Sequence, residues 1–184
     1  TLAVMRMKKI GRELSRELAR MDQWTNGGVA VRAEATGKVR AAANGEAKVS
    51  FLPTPADFET LRKGVAAYGD ILLAAGAEKV SLGVPGWHEV TSRSQIESFR
   101  REGPTDSSQY EMILSHMFGT CQFGSDPEES VVGHDFEHHV VDRLFVADSS
   151  VFPSNLGVNP QISIIQFARE CARSLLKGGG ETTA

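Results

Sequence analysis

The sequence predicts a mixed α+β fold in which helices cover a largely antiparallel sheet. Three observations indicate this class. Apolar residues recur every three or four positions in separate stretches at the start, the middle and the end of the chain. Between residues 28 and 51 that spacing changes to two, which is typical of strands. Glycine and asparagine separate these short runs, so neighbouring strands are expected to pair antiparallel.

The first helix is predicted from apolar residues separated by charged ones: Met7, Ile10, Leu14, Leu18 and Met21. It should end before the turn at Asn26-Gly27-Gly28. Three strands are then expected at 29–33, 39–41 and 47–51, because apolar residues alternate in each run. The Asn44-Gly45 pair favours a tight hairpin between the last two.

A second helix should begin at Pro55, because Thr54 is a suitable N-cap and proline is favoured at the first helical position. It should end near Gly76. Its expected inward face consists of Phe58, Leu61, Val65, Tyr68 and Leu72. A short strand or extended linker follows at 79–86, and a short helix begins at Ser92 or Ser94.

A change of composition at Gly103-Pro104 predicts an internal boundary. Beyond it we expect a hairpin at 130–148. The last helix should run from Pro160 to Lys177 and be closed by glycines 178–180.

Composition excludes several classes of protein. The net charge of -3 and the scattered basic residues give no positive field for nucleic acid. No apolar run approaches the roughly 18 residues of a membrane span. Cys121 and Cys171 predict buried free thiols rather than a disulfide framework, and they leave the redox compartment open, with the cytoplasm slightly favoured. Because Thr1 leads directly into helix-like sequence without an initiator methionine, we expect the start of a longer protein to precede it.

His116 is the first candidate functional residue. It lies among apolar residues, where a histidine that hydrogen-bonds within a core is the simplest interpretation. The alternative is a general base, since imidazole can accept a proton near neutral pH. Gly119-Thr120 would then let the backbone approach a flat ligand.

Asn159 and Pro160 have the composition of a helix N-cap and its first residue. A helix N-terminus also presents free N–H groups and partial positive charge to an anion, so capping and binding are compatible.

Three further groups of residues have a structural and a functional interpretation. Asp148-Ser149-Ser150 ends an apolar strand, where an ordinary turn is an equal alternative to a binding role. The spacing of His134 and His138 could chelate a metal on a helix, but a hairpin is favoured there, so no metal site is predicted. Cys121 lies in an uncharged apolar setting that does not activate a thiol.

Taken in order, these residues resemble the C-terminal part of the glucose-methanol-choline family of flavin-dependent oxidoreductases. The segment 115–127 is similar to the family's histidine segment, and 144–153 to its strand containing Asp-Ala-Ser. The segment 157–160 is similar to its closing His/Asn position. More weakly, 57–77 resembles the substrate-binding domain of the long-chain alcohol oxidase branch.

The chain departs from the family pattern at three places. Gln122-Phe123 stands where a basic residue and methionine are more usual, and 134–139 differs from the Val-His-Gly-Val pattern. The chain also has no Gly-x-Gly-x-x-Gly element, which cradles the flavin dinucleotide in the family. The resemblance therefore implies a substrate-binding portion at 1–110 and a catalytic segment at 111–184 that completes an FAD domain whose N-terminal part is absent, so the chain alone should bind FAD poorly.

The resemblance also implies oxidation of a small-molecule alcohol to a carbonyl, with hydride transfer to FAD. His116 would be the base, and Asn159 would orient the substrate oxygen. Asp148, Ser149, Asn159, Pro160 and Gln161 would contact the flavin. The partner would be the N-terminal FAD-binding part of the same protein. The alternative is a non-catalytic binding module, or a separately encoded subunit, with the same fold.

Overall fold

The computed structural model describes residues 9–178, and its contacts group the chain into two units. The first unit contains residues 1–31 and 55–111, and the second contains residues 32–54 and 112–184. The stretch 32–54 thus belongs with the second unit although it lies early in the sequence. The assignment of a substrate-binding portion to 1–110 and a catalytic segment to 111–184 stays a prediction.

The described residues of the first unit form three α-helices. Helix α1 spans Gly11–Leu18, so the predicted N-terminal helix is confirmed but shorter, and Met7 lies outside the described residues. Helix α2 spans Pro55–Ala74 and begins where the proline predicted. Its C-terminus closes as a Schellman motif, in which Gly76 has a φ of +95° and the Ala77 N–H donates to the Leu72 carbonyl.

Helix α3, Arg93–Glu102, begins with a complete capping box. The Gln95 N–H donates to Ser92 Oγ, and the Ser92 N–H donates to Gln95 Oε1. Ile96 and Phe99 on this helix are fully buried. Gly69 of α2 allows the two helices to approach, because a Cβ there would lie 2.6 Å from Ile96 Cδ1. The core between them consists of Ala66, Val80, Leu82, Val84, Val90, Ile96 and Phe99.

The predicted larger sheet is wrong. The described residues contain one two-stranded antiparallel sheet, formed by β1, Lys38–Ala41, and β2, Ala47–Ser50, in which Val39 faces Val49. The hairpin turn at Gly45 is confirmed by its φ of +82°. All residues of both strands are exposed, so no helix covers this sheet.

The run at 29–33 forms no strand. Its alternation has another origin, because Val29 and Val31 lie against Gly64 of α2 instead of pairing with a neighbouring strand. Of the two alternatives for 79–86, a short strand or an extended linker, the strand is not formed, and the stretch makes one antiparallel bridge between Val80 and Val90.

The predicted hairpin at 130–148 is present only as isolated bridges, between Val132 and His138 and between Glu137 and Phe145. Phe136 and Arg143 adopt left-handed backbone angles, with φ of +73° and +61°, which strands cannot continue through. Helix α4, Gln161–Gly178, ends the described chain, and Gly179 and Gly180 lie outside it. Val132, Val151 and Phe152 form the buried core of this unit.

No helix within residues 9–178 is long and apolar enough to cross a membrane.

The capping box of α3 gives a stability prediction. Replacing Ser92 by alanine removes the acceptor for the Gln95 N–H, so the free energy of unfolding should fall by about 1 kcal/mol. Ser92→Asn keeps a capping oxygen and should unfold close to wild type. Urea denaturation of the three chains measures this difference, and equal midpoints for the alanine and wild-type chains would contradict the assignment.

The two thiols should differ in reactivity. Cys171 is 5% exposed, and burial, aided by the negative charge of Asp135, raises the pKa of its thiol. Cys121 is only half-buried. Because the thiolate is the reactive form, iodoacetamide at pH 8 should label Cys121 first, as peptide mass spectrometry can follow. In a Cys121→Ser chain, labelling should be slow and should accelerate in denaturant; rapid labelling of that chain would show that Cys171 is accessible.

Candidate active site

A surface pocket of about 400 Å³ lies at the N-terminus of α4 in the second unit. It brings together residues that are far apart in the sequence. Its lining consists of His116, Asn159, Pro160, Gln161, Ile164 and Ile165. Four of the six residues predicted for the site therefore lie together in one pocket.

His116 is not a core histidine. The residue is exposed, and its neighbours Met112, Ile113, Leu114 and Met117 are exposed as well, so the predicted burial of this segment is wrong. An apolar stretch is buried only if other parts of the protein cover it, and no described residue covers this one. Within residues 9–178 the imidazole has no hydrogen-bond partner, so its nitrogens are available to a ligand.

The backbone of His116 is left-handed, with a φ of +57°. Such angles are uncommon for residues other than glycine, although histidine tolerates them better than most. The segment from Tyr110 to Gly119 has no regular secondary structure. The position of the imidazole is therefore fixed by contacts that follow it in the chain, and not by a helix or strand of its own.

Asn159 does not cap α4 as predicted. The Ile164 N–H donates to the Pro160 carbonyl over 2.9 Å, which places Pro160 at the cap position and starts the helix at Gln161. Asn159 precedes the cap, is exposed, and makes no hydrogen bond within the described chain. A turn in which the Gly157 N–H donates to Asn155 Oδ1 leads the chain into this position. The Asn159 amide is thus free to face the pocket.

The field at this end of the pocket is positive. The first N–H groups of α4 have no intrahelical acceptors, and the helix macrodipole adds partial positive charge there. The first turn carries no acidic residue that would neutralise it. Ile164 and Ile165 form an apolar wall beside this polar end. Such a pocket suits a flat apolar ligand that carries an oxygen or negative charge at one edge.

Asp148 and Ser149 do not line this pocket. Asp148 Oδ1 accepts the Ser150 N–H over 2.8 Å and the Ser150 hydroxyl over 2.5 Å. It thereby caps the short 3-10 helix Ser149–Val151, as the ordinary turn interpretation expects. Direct contact of these two residues with a cofactor stays a prediction.

The histidine cluster lines a second, more open pocket of about 540 Å³. One ring nitrogen of each histidine already has a hydrogen-bond partner within the protein. His134 Nε2 contacts Ser125 Oγ, His139 Nε2 contacts Ser130 Oγ, and His138 Nδ1 accepts two backbone N–H groups. Among the described residues, no group of three potential ligands is arranged to hold a metal ion.

Sequence reasoning missed Ile164 and Ile165. Both could have been found from helix periodicity, because Ile164 lies four positions after Pro160 and Ile165 four positions after Gln161, which places each one turn along the same face of α4.

The sequence has relatives of known family. The family model of the GMC oxidoreductases, for their C-terminal domain, matches residues 33–168. Long-chain-alcohol oxidase FAO4A of Arabidopsis thaliana is 39% identical over 124 residues, which are 61% of this chain and 16% of that protein. The GMC-type oxidoreductase Rv0492c of Mycobacterium tuberculosis is 33% identical over 159 residues, which are 86% of this chain and 25% of that protein.

A solved structure has the same fold. Pyridoxine 4-oxidase from Mesorbium loti superposes with a TM-score of 0.50 at 22% identity, over 78% of this chain and 28% of that chain. The chain thus spans about a sixth of the length of the Arabidopsis relative and about a quarter of the length of the mycobacterial one. Because the family model matches most of its length, the chain belongs to the GMC oxidoreductase family, and residues 33–168 correspond to the C-terminal domain of that family.

Proposed function

We propose that this chain is the substrate-binding and catalytic part of a flavin-dependent enzyme that oxidises the CH–OH group of a small-molecule alcohol to a carbonyl. One observation carries the proposal. His116 and Asn159 come from distant parts of the sequence, and both line the pocket at the N-terminus of α4 with their polar groups unpaired within the described chain. A base and an oriented amide at one pocket are what proton removal from a hydroxyl requires.

The family uses FAD, which when bound supplies the electron-accepting ring. The pocket fits one edge of such a ring, because it combines an apolar wall with free N–H groups and a positive field. Pro160 and Gln161 would border that edge, and Asn159 would lie beside it. A volume of about 400 Å³ does not enclose a whole dinucleotide. The remainder of the binding site would come from the proposed partner, the N-terminal FAD-binding part of the same protein.

His116 takes the hydroxyl proton in this proposal. For that, an imidazole nitrogen must lie about 2.6–3.2 Å from the substrate oxygen. As the O–H bond breaks, negative charge develops on the oxygen, and the carbon releases its hydride more readily while the C=O bond forms. The absence of a competing hydrogen bond to His116 among the described residues keeps the imidazole available for this step.

Asn159 donates a hydrogen bond to the same oxygen and orients it. The N–H groups and partial positive charge at the start of α4 stabilise the negative charge that develops nearby. These interactions strengthen as charge develops, so they lower the barrier more than they tighten binding of the neutral alcohol.

The substrate is assigned only as an alcohol. The names of similar proteins cover different alcohols, namely long-chain-alcohol oxidases and a 6'''-hydroxyparomomycin C oxidase. Ile164 and Ile165 supply a general apolar wall and do not distinguish among these.

The role of His116 can be tested in the flavin-bound form of the protein that contains this chain. His116→Ala should slow reduction of the flavin by alcohol about 10²- to 10⁴-fold, as followed by loss of flavin absorbance in anaerobic stopped flow. His134→Ala, an exposed histidine of the other pocket, should reduce flavin at the wild-type rate. Unchanged reduction in His116→Ala would end the assignment of this residue as the base.

Asn159→Asp should change activity and stability in opposite directions. The new carboxylate lies close to the helix N-terminus, so the unfolding free energy should rise by about 0.3–1 kcal/mol. The loss of the amide donor and the added negative charge should slow flavin reduction about 10²- to 10³-fold. Thermal melts and stopped flow on the same preparations measure both effects. A variant with wild-type reduction would show that Asn159 acts only in the structure.

A further inference from the structure

His116 lies within an exposed stretch of the chain. Residues 112–117 are all exposed, and the backbone of His116 is in the left-handed region. Phe118, two residues later, is the first residue after the histidine to be partly buried. The imidazole is therefore positioned from its C-terminal side.

The anchor of this segment is the turn at 149–152. The Cys121 N–H donates to the Ser150 carbonyl and the Phe123 N–H to the Val151 carbonyl, each over 3.0 Å. The Phe118 ring packs edge-to-face on Phe152, with centroids 5.8 Å apart. These contacts attach the histidine segment to the core of the second unit.

The start of α4 is attached to the same core from its other side. Phe152 packs on Phe167 of α4, with ring centroids 4.6 Å apart. Ile164, which lines the pocket, packs against the cluster that contains Phe152. One phenylalanine thus contacts both the segment that follows His116 and the helix that follows Asn159.

We propose that Phe152 is a positioning residue that sets the separation between His116 and Asn159. This inference rests on the proposed function of the pocket. The ring is 5% exposed and has close-packed neighbours on both sides. A shorter side chain leaves space that such a core fills only in part, so Phe118 and Phe167 move toward each other or loosen. Because residues 112–117 are all exposed, Phe118 is the nearest packed residue to His116, and that movement passes to the imidazole.

Phe136 provides a matched control. It is also a buried phenylalanine, 7% exposed, and it also packs on Phe167, with centroids 5.8 Å apart. Its described ring contacts do not include Phe118. Phe136→Leu therefore removes comparable core packing from α4 without touching the link to His116.

The direct test is NMR of the 184-residue chain with labelled histidine, in which His116→Ala assigns the His116 ring signal. Phe152→Leu and Phe118→Leu should each shift this signal, and Phe136→Leu should leave it in place. If Phe152→Leu does not fold, Phe118→Leu decides. The inference is overturned if the His116 signal does not move in whichever of Phe152→Leu and Phe118→Leu folds. It is also overturned if Phe136→Leu shifts that signal as much as they do.

A kinetic test follows in the flavin-bound protein. Phe152→Leu should slow flavin reduction at saturating alcohol about 10- to 100-fold with little change in substrate affinity, since a small misplacement of a catalytic group has effects of this size. Phe136→Leu should change the rate less than about 3-fold. In a His116→Ala background, Phe152→Leu should have no further effect, and a full additional loss contradicts action through His116.

The two proposals fail in different ways. If His116→Ala reduces flavin normally, the proposed base is wrong, whereas the NMR shift still reports whether Phe152 positions the imidazole.

Discussion

The packing of α4 on a cluster of phenylalanine rings determines the arrangement of the second unit. Phe167 alone packs against Phe123, Phe136 and Phe152, at centroid separations between 4.6 and 5.8 Å. The described residues of this unit form few ladder hydrogen bonds outside the exposed hairpin. Packing of aromatic rings therefore holds its segments together, as a sheet does in many α+β folds. The direction of α4 follows from these contacts, and with it the place at which the helix presents its N-terminal N–H groups. The pocket is a consequence of where the helix starts.

Two large apolar residues of the same helix are exposed on its outer side, beside the exposed Arg169 and Arg173. Ile162 is 84% exposed and Leu176 is 80% exposed, while Phe167 and Cys171 face the core. The exposed residues at 112–117 add to this apolar surface. Both observations agree with the proposed partner, an FAD-binding part of the same protein that would cover these exposed residues.

Local sequence signals predicted the helices well. Pro55 and Ser92 mark helix starts through chemistry that operates within one turn, so these predictions hold within a residue or two. The number of strands is smaller than predicted, because strand pairing is not a local property. Alternation of apolar residues shows which side of a chain is covered and not what covers it. Val29 and Val31 alternate against a glycine of α2, and no strand lies beside them. Strand pairing depends on distant residues, and the left-handed angles at Phe136 and Arg143 could not be foreseen from composition.

For the site, the order of residues was informative and their environment was not. The resemblance places His116 and Asn159 at one site, and both line the same pocket, whereas the structural alternatives, a core histidine and a helix cap, are not observed. Asn159 makes no capping hydrogen bond and His116 is not enclosed in a core, so both side chains lack a partner within the described chain. Polar groups that could form hydrogen bonds within the protein are instead unpaired beside the positive end of a helix.

In water such groups interact weakly with a ligand, because solvent competes for their hydrogen bonds and screens their charges. In the proposed function, covering the exposed apolar residues at 112–117 and on α4 would exclude water from the pocket, so that the same hydrogen bonds and helix charges would act more strongly on a developing alkoxide. The exposed apolar surface and the unpaired polar groups are therefore two parts of one arrangement, since covering the first makes the second effective.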